Sequence, residues 1–206
     1  MDFSLIETLR WEPDNGFLRL ERHLARLTNS ASTLGFPNPD GARAALEAHM
    51  KGATAPLRMR LEFFASGRIE AISAPFVPLP ANSIWRLGIA GTRLSSSDPL
   101  LRHKTSRREI YYAARAEFPV DQTDEVILLN ERDEVCEGTI TSLFVDDGEG
   151  CLLTPPLACG LLAGVLRADL LDRKRATEAR LTLADLAGRT LYVGNSLRGL
   201  VRAEMI

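Results

Sequence analysis

Apolar and polar positions alternate near the start of the chain, over Leu5-Ile6-Glu7-Thr8-Leu9-Arg10-Trp11, and predict a strand. Pro13-Asp14-Asn15-Gly16 predicts a turn, with extended chain resuming over Phe17-Leu18-Arg19-Leu20. From Glu21 the period changes. Leu24, Leu27, Ala31 and Leu34 recur at helical spacing, and Gly35 with Pro37 closes the run. A second helix is expected from Asp40 to about Lys51, then strands at Leu57 to Phe64 and Ile69 to Ser73 joined at Ser66-Gly67. This half reads as a small α+β unit.

Residues Phe76 to Ser83 hold two prolines and no strong period, which suits a linker. Beyond it the pattern predicts a strand at Trp85 to Ala90 and a helix over Glu109 to Phe118. Short apolar strands follow at Val126 to Leu129 and at Leu143 to Val145, and Cys151-Leu152-Leu153 precedes Pro155-Pro156. An amphipathic helix is expected from Gly164 to about Arg175, and a last strand at Leu191 to Val193 runs into Gly194-Asn195-Ser196. The fold class is therefore α/β in the α+β sense. A small lobe over residues 1–80 and a larger one over 81–206 are expected, an arrangement in which ligands favour the cleft between domains.

Composition narrows the partners. The chain has 206 residues, 45% of them hydrophobic, enough for a proper core. With 25 basic against 27 acidic residues and a net charge of -2, nothing favours nucleic acid or an anionic membrane. No apolar run approaches the roughly 20 residues that span a bilayer, and Met1-Asp2-Phe3-Ser4 lacks a secretory pattern. Cys136, Cys151 and Cys159 show no CxxC spacing, and there are only three histidines. A cytoplasmic protein without a metal site is expected.

The chemistry-bearing residues leave alternatives open when taken singly. Cys159-Gly160-Leu161-Leu162-Ala163-Gly164-Val165-Leu166-Arg167 runs from a Pro-rich turn into a helix, whose free N–H groups would suit an anion. Such a junction is more commonly a plain turn. Gly194-Asn195-Ser196 is a second polar turn that could hold phosphate or simply reverse the chain. Arg26 lies one residue from an apolar stripe, where arginines usually snorkel to solvent. Arg102-His103-Lys104-Thr105-Ser106-Arg107-Arg108 is a solvated face, a polyanion patch or an anionic small-molecule pocket. Glu137 beside Gly138 is by itself an ordinary carboxylate. No reaction is selected.

The order of these blocks resembles the class IV aminotransferases, the fold-type-IV pyridoxal-phosphate enzymes. The resemblance begins at Glu7-Thr8-Leu9-Arg10 and His23-Leu24-Ala25-Arg26-Leu27. It continues through His103-Lys104-Thr105, Asp124 to Asn130, Val135-Cys136-Glu137-Gly138-Thr139, Leu143-Phe144 and Thr154-Pro155-Pro156-Leu157. It closes on Gly160 to Arg167 and Gly194-Asn195-Ser196-Leu197-Arg198-Gly199. What it implies is a two-lobed fold like that of D-amino-acid aminotransferase, with Lys104 as the Schiff-base lysine. Glu137 would pair with the pyridine nitrogen and Arg26 with the cofactor phosphate. The N–H groups of Val165 and Leu166 and the turn at Asn195 and Ser196 would complete the phosphate site. Leu166 stands where many relatives have threonine, and Glu109 where some aminotransferases place an aromatic residue. Relatives usually carry a further N-terminal strand before the Glu7-Thr8 position.

Within that family the blocks lie nearest 4-amino-4-deoxychorismate lyase and the lyase-like domain of some aminodeoxychorismate synthases. The expected reaction gives 4-aminobenzoate and pyruvate, as in folate biosynthesis. The alternatives are transfer of an amino group from branched-chain or D-amino acids to a 2-oxo acid, or a degenerate member that binds without catalysis. An amine substrate bearing carboxylates would call for cations, and Arg93, Arg102 and Arg107 are the candidates. The resemblance also implies a homodimer.

Overall fold

The computed structural model describes residues 2–206. They form two compact units, one ending at Pro78 but including His103–Arg107, the other comprising Leu79–Arg102 and Arg108–Ile206.

In the first unit, β1 (Ser4–Glu12), β2 (Gly16–Phe17), β3 (Leu57–Phe64) and β4 (Ile69–Pro75) form an antiparallel sheet in the order β2-β1-β3-β4. Helices α1 (Leu20–Leu34) and α2 (Ala42–Ala48) contribute Leu27, Ala31, Ala42 and Leu46 to a core with Leu5, Leu9, Trp11, Met59, Leu61 and Phe63. The alternation of β1 thus puts residues 5, 9 and 11 inward, and α1 presents its apolar stripe to them. The extended chain expected over Phe17–Leu20 stops after Leu18, whose N–H still donates to the Arg10 carbonyl: Arg19 adopts a left-handed conformation and Leu20 already begins α1. At its other end α1 stops at Gly35, where the Phe36 N–H returns to the Ala31 carbonyl at 2.8 Å.

The second unit contains β5 (Ile84–Leu94), α3 (Glu109–Ala116), β6 (Glu125–Asn130), β7 (Val135–Gly138), β8 (Ser142–Asp146) and β9 (Leu152–Thr154). It continues with α4 (Val165–Asp172), β10 (Ala176–Glu178), α5 (Leu183–Leu186), β11 (Leu191–Asn195) and β12 (Gly199–Met205). The sheet order is β10-β9-β8-β11-β12-β5-β6-β7, and β7 pairs back onto β8. Six strands therefore close on themselves as a barrel, sealed where Glu137 opposes Ser142. Closure forces a tight turn from Gly138 to Ser142. The buried Glu125 carboxylate organises it, accepting from the Thr139 and Ile140 N–H groups and the Thr139 and Thr141 hydroxyls.

Two features of this unit differ from the sequence pattern. Helix α4 is not amphipathic. Arg167 and Asp169 are buried with Val165, Leu166 and Leu170. Arg167 donates to the Pro155 carbonyl at 2.7 Å and pairs with Glu178, and Asp169 accepts from Arg173 at 3.0 Å. The helix also ends early, because Lys174 turns left-handed and Arg175 N–H closes onto Leu170. Strand β12 is not among the predicted elements. It forms a hairpin with β11 and pairs on its other side with β5, more than a hundred positions earlier, which no local period reveals.

Candidate active site

In the first unit the site is built on β1. Glu7 occupies an inward position of that strand, between Leu5 and Leu9, and is 2% exposed. Its carboxylate accepts from Arg26 Nε at 2.9 Å and Arg26 Nη2 at 2.6 Å, a side-on fork. His23, three residues earlier on α1, places Nδ1 2.6 Å from Glu7 Oε2. Burial alone would raise the Glu7 pKa, but the Arg26 charge and the His23 contact overcome it and hold the group at about 2. Burial lowers the His23 pKa, opposed by the Glu7 contact, with Arg26 and Lys104 adding to the lowering. His23 is accordingly neutral near pH 7 and donates its Nδ1–H to Glu7.

The same strand holds Lys104. Ile6 N–H donates to the Lys104 carbonyl at 2.8 Å, Thr105 bridges Leu5, and Ser106 N–H donates to the Ser4 carbonyl at 2.9 Å. His103 Nδ1 lies 2.9 Å from Ser30 Oγ on α1. The residues on both sides of Lys104 are thus tied to β1 and α1, which fixes where its half-buried side chain departs.

In the second unit Glu137 sits on the strand that seals the barrel and is 4% exposed. Tyr111 Oη, from α3, donates to Oε1 at 2.7 Å, and Leu162 N–H donates to the same oxygen at 3.1 Å. Burial and the adjacent Glu137 charge push the Tyr111 pKa far up, so the phenol keeps its proton and remains a donor. Two residues beyond Leu162, Gly164 caps α4 with no side chain of its own, and no side-chain cap bond closes that helix start. A Cβ on Gly164 would lie 2.6 Å from Ser142 Oγ, and one on Gly194 2.5 Å from the Gly199 carbonyl and 2.8 Å from Leu166 Cδ2. A side chain at Gly164 would thus crowd the start of β8, and one at Gly194 would crowd the start of β12 and Leu166 of α4.

Of the residues singled out in the sequence, Lys104 and Arg26 meet around β1. Glu137, Val165, Leu166, Asn195 and Ser196 lie in the second unit, along one stretch running from Leu162 through Gly164 and Leu166 to Gly194. Asn195 uses its side chain to build the turn: Nδ2 donates to the Ile140 carbonyl, and Oδ1 accepts from the Leu197 and Arg198 N–H groups. Arg93 donates to the Ala90 and Gly91 carbonyls and pairs with Asp133 at 3.4 Å. Arg102 is exposed, and exposed Arg107 lies 5.9 Å from the Phe3 ring. Glu7, His23 and Tyr111 were not singled out. Glu7 had a signal, a charge in the inward row Leu5, Glu7, Leu9, Trp11. His23 had one too, on the buried side of α1. Tyr111 had none beyond its position in a helix.

Among the described residues, no helix is long and apolar enough to cross a membrane, and no cluster of His, Cys, Asp or Glu is placed to hold a metal ion.

The model of the family described as "Amino-transferase class IV" matches residues 4–206. The chain belongs to the class IV aminotransferases. The family expected from the order of blocks is borne out, as is the α+β fold class; the barrel was not among the expectations. A protein from Mesorhizobium loti, described as a candidate amino-acid aminotransferase, is 52% identical with a TM-score of 0.96, over 100% of both chains. The 4-amino-4-deoxychorismate lyase of Pseudomonas aeruginosa is 26% identical with a TM-score of 0.80, over 98% of this chain and 82% of that one. A Schizosaccharomyces pombe protein described as a candidate aminodeoxychorismate lyase is 27% identical over 175 residues, 82% of this chain and 73% of its own length. As a member of this family the chain is an enzyme of the pyridoxal-phosphate-dependent lyase and aminotransferase group.

Proposed function

We propose that the protein binds pyridoxal 5'-phosphate and acts as a 4-amino-4-deoxychorismate lyase, releasing 4-aminobenzoate and pyruvate. The observation that carries the cofactor is Glu137, a buried carboxylate held by the Tyr111 hydroxyl and by the N–H of Leu162, two residues before Gly164 at the start of α4. A carboxylate, a lysine and a helix start without a side-chain cap bond suit this cofactor, and the N–H groups of that helix start are donors an anion would use. Bound pyridoxal phosphate would supply the electron sink for a carbanion next to the substrate nitrogen. Glu137 would keep the ring nitrogen protonated. Arg26, the N–H groups of Val165 and Leu166, and the turn at Asn195 and Ser196 would hold the phosphate. Lys104 Nζ would anchor the cofactor and, once displaced by the substrate amine, remove the proton from the amine-bearing carbon. The same Nζ would return a proton to the departing enolpyruvyl group. Aromatisation of the carbocycle makes the elimination favourable without an amino acceptor. Arg102 and Arg107 are offered as carboxylate ligands; Arg93 is already bound to two carbonyls and Asp133.

A second reading is amino-group transfer to a 2-oxo acid, favoured by the likeness at 52% identity to a protein described as an aminotransferase. It uses the same Lys104 and Glu137 but returns the proton elsewhere. Two assays separate them: aminodeoxychorismate alone, and a branched-chain or D-amino acid with 2-oxoglutarate. Pyruvate and 4-aminobenzoate from the first with no glutamate from the second support the lyase, and the reverse result overturns it. Lys104→Ala should abolish either activity. We also propose a cytoplasmic homodimer, which sedimentation of the pure protein and fractionation of cells would test.

A further inference from the structure

We infer that Glu7 is a positioning residue, setting the Arg26 guanidinium for the cofactor phosphate. The inference rests on the pyridoxal-phosphate reading above.

Stability does not account for Glu7. It is the charged member of an otherwise apolar inward row, among Leu5, Leu9, Leu27 and Leu61. Removing a carboxylate from water is costly, and an apolar pair of similar volume in place of a buried ion pair is commonly neutral or better. Orientation does account for it. Glu7 grips Arg26 through Nε and Nη2, so the plane of the guanidinium is set and the Nη1 edge is the one Glu7 does not engage. A lysine-like point charge could not be aimed in this way.

The grip is itself held on both sides. Glu7 sits in the β1 ladder opposite Leu61, and the neutral His23 donates to Oε2, which prevents the carboxylate from rotating away. His23 and Arg26 share α1, so strand and helix are pinned together at the residue that carries the positive charge. One residue before Glu7, Ile6 N–H holds the Lys104 carbonyl. A single strand thus places both the lysine and the arginine, and Glu7 is the part of it that acts on the arginine.

The test compares pyridoxal phosphate with pyridoxal, which lacks the phosphate, by titrating the absorption band each forms with Lys104. Glu7→Gln should weaken pyridoxal phosphate about tenfold or more, the scale of a lost charge-assisted hydrogen bond, and leave pyridoxal within about twofold. In an Arg26→Met background, Glu7→Gln should cause no further loss. Equal losses for both ligands, no loss for pyridoxal phosphate, or additive losses with Arg26→Met would each overturn the inference while the cofactor assignment stands. Where Glu7→Gln does not fold, Glu7→Asp keeps the charge but shortens its reach, and the same selective loss is expected. A wild-type protein showing no band that Lys104→Ala removes would overturn the cofactor reading, and this inference with it.

Discussion

Glu7 and Glu137 are both buried carboxylates on strands, yet they are held by different chemistry. Glu7 is gripped by a guanidinium, with a neutral histidine behind it, and stays ionised because an opposite charge touches it. Glu137 takes a phenol and a main-chain amide on one oxygen. Those donors stabilise a negative charge without cancelling it. A guanidinium fork fixes the plane of its own partner, whereas the phenol and the amide fix the carboxylate that they hold. The difference fits the roles proposed above, Glu7 positioning Arg26 and Glu137 facing the cofactor ring.

The largest effect should come from Glu137→Gln. It keeps the size and an acceptor but removes the charge, and kcat should fall by about a thousandfold, the scale of losing one preorganised electrostatic contact. Steady-state turnover with cofactor in excess would measure it; a loss below tenfold would put Glu137 on the same footing as Glu7.

Next, Glu7→Leu or Arg26→Leu alone should destabilise the fold by about 3–5 kcal/mol, because each leaves a buried charge without its partner. The two together should recover most of that loss. Denaturant midpoints would show it, and additive losses would mean that the pair is not a unit.

Acid should separate the two carboxylates further. The folded pKa of Glu7, about 2, lies below its ordinary 4.5, so its stabilising contribution is complete above pH 4.5 and is lost as pH falls towards 2. The depression corresponds to about 3 kcal/mol. The lowered His23 pKa acts in the same direction, since charging that buried ring opposes folding as pH falls below 6.5. Between pH 5 and 3 the wild type should lose stability more steeply than Glu7→Gln; parallel curves would contradict the assignment.

The smallest effect is Tyr111→Phe. It removes one hydroxyl from α3 and leaves Leu162 N–H on Glu137. Turnover should fall severalfold, about 1 kcal/mol, with little change in cofactor affinity. A loss as large as that of Glu137→Gln would show the phenol to be more than a support.

Much of the fold was legible in advance where a local period carries it. The strand over Ser4–Glu12, the helix ending at Gly35, and the pair Leu57–Phe64 and Ile69–Pro75 all follow from alternation, helical spacing and turn residues. The α4 region was read less well because Arg167 and Asp169 look like a solvent face. Only their partners, the Pro155 carbonyl, Glu178 and Arg173, make them interior. Of the candidate site, the sequence pointed to Lys104, Arg26 and Glu137 but not to Glu7, His23 and Tyr111, which hold Arg26 and Glu137. Glu7 and Arg26 are nineteen residues apart, and Tyr111 and Glu137 twenty-six, separations that a period of two or 3.6 does not report.

The amino-acid sequence by itself determined the family, through the order of Arg26, Lys104, Glu137 and the two glycine turns, and it determined most local elements. Both are properties of residue type and short-range spacing, set by backbone sterics and by which face must leave water. Tertiary structure alone decided that β7 returns to β8 to seal a barrel at Glu137, that β12 enters beside β5, and that one strand holds both Lys104 and the partner of Arg26. Those outcomes depend on burial, which makes a distant hydrogen bond or ion pair worth forming once both groups have lost water.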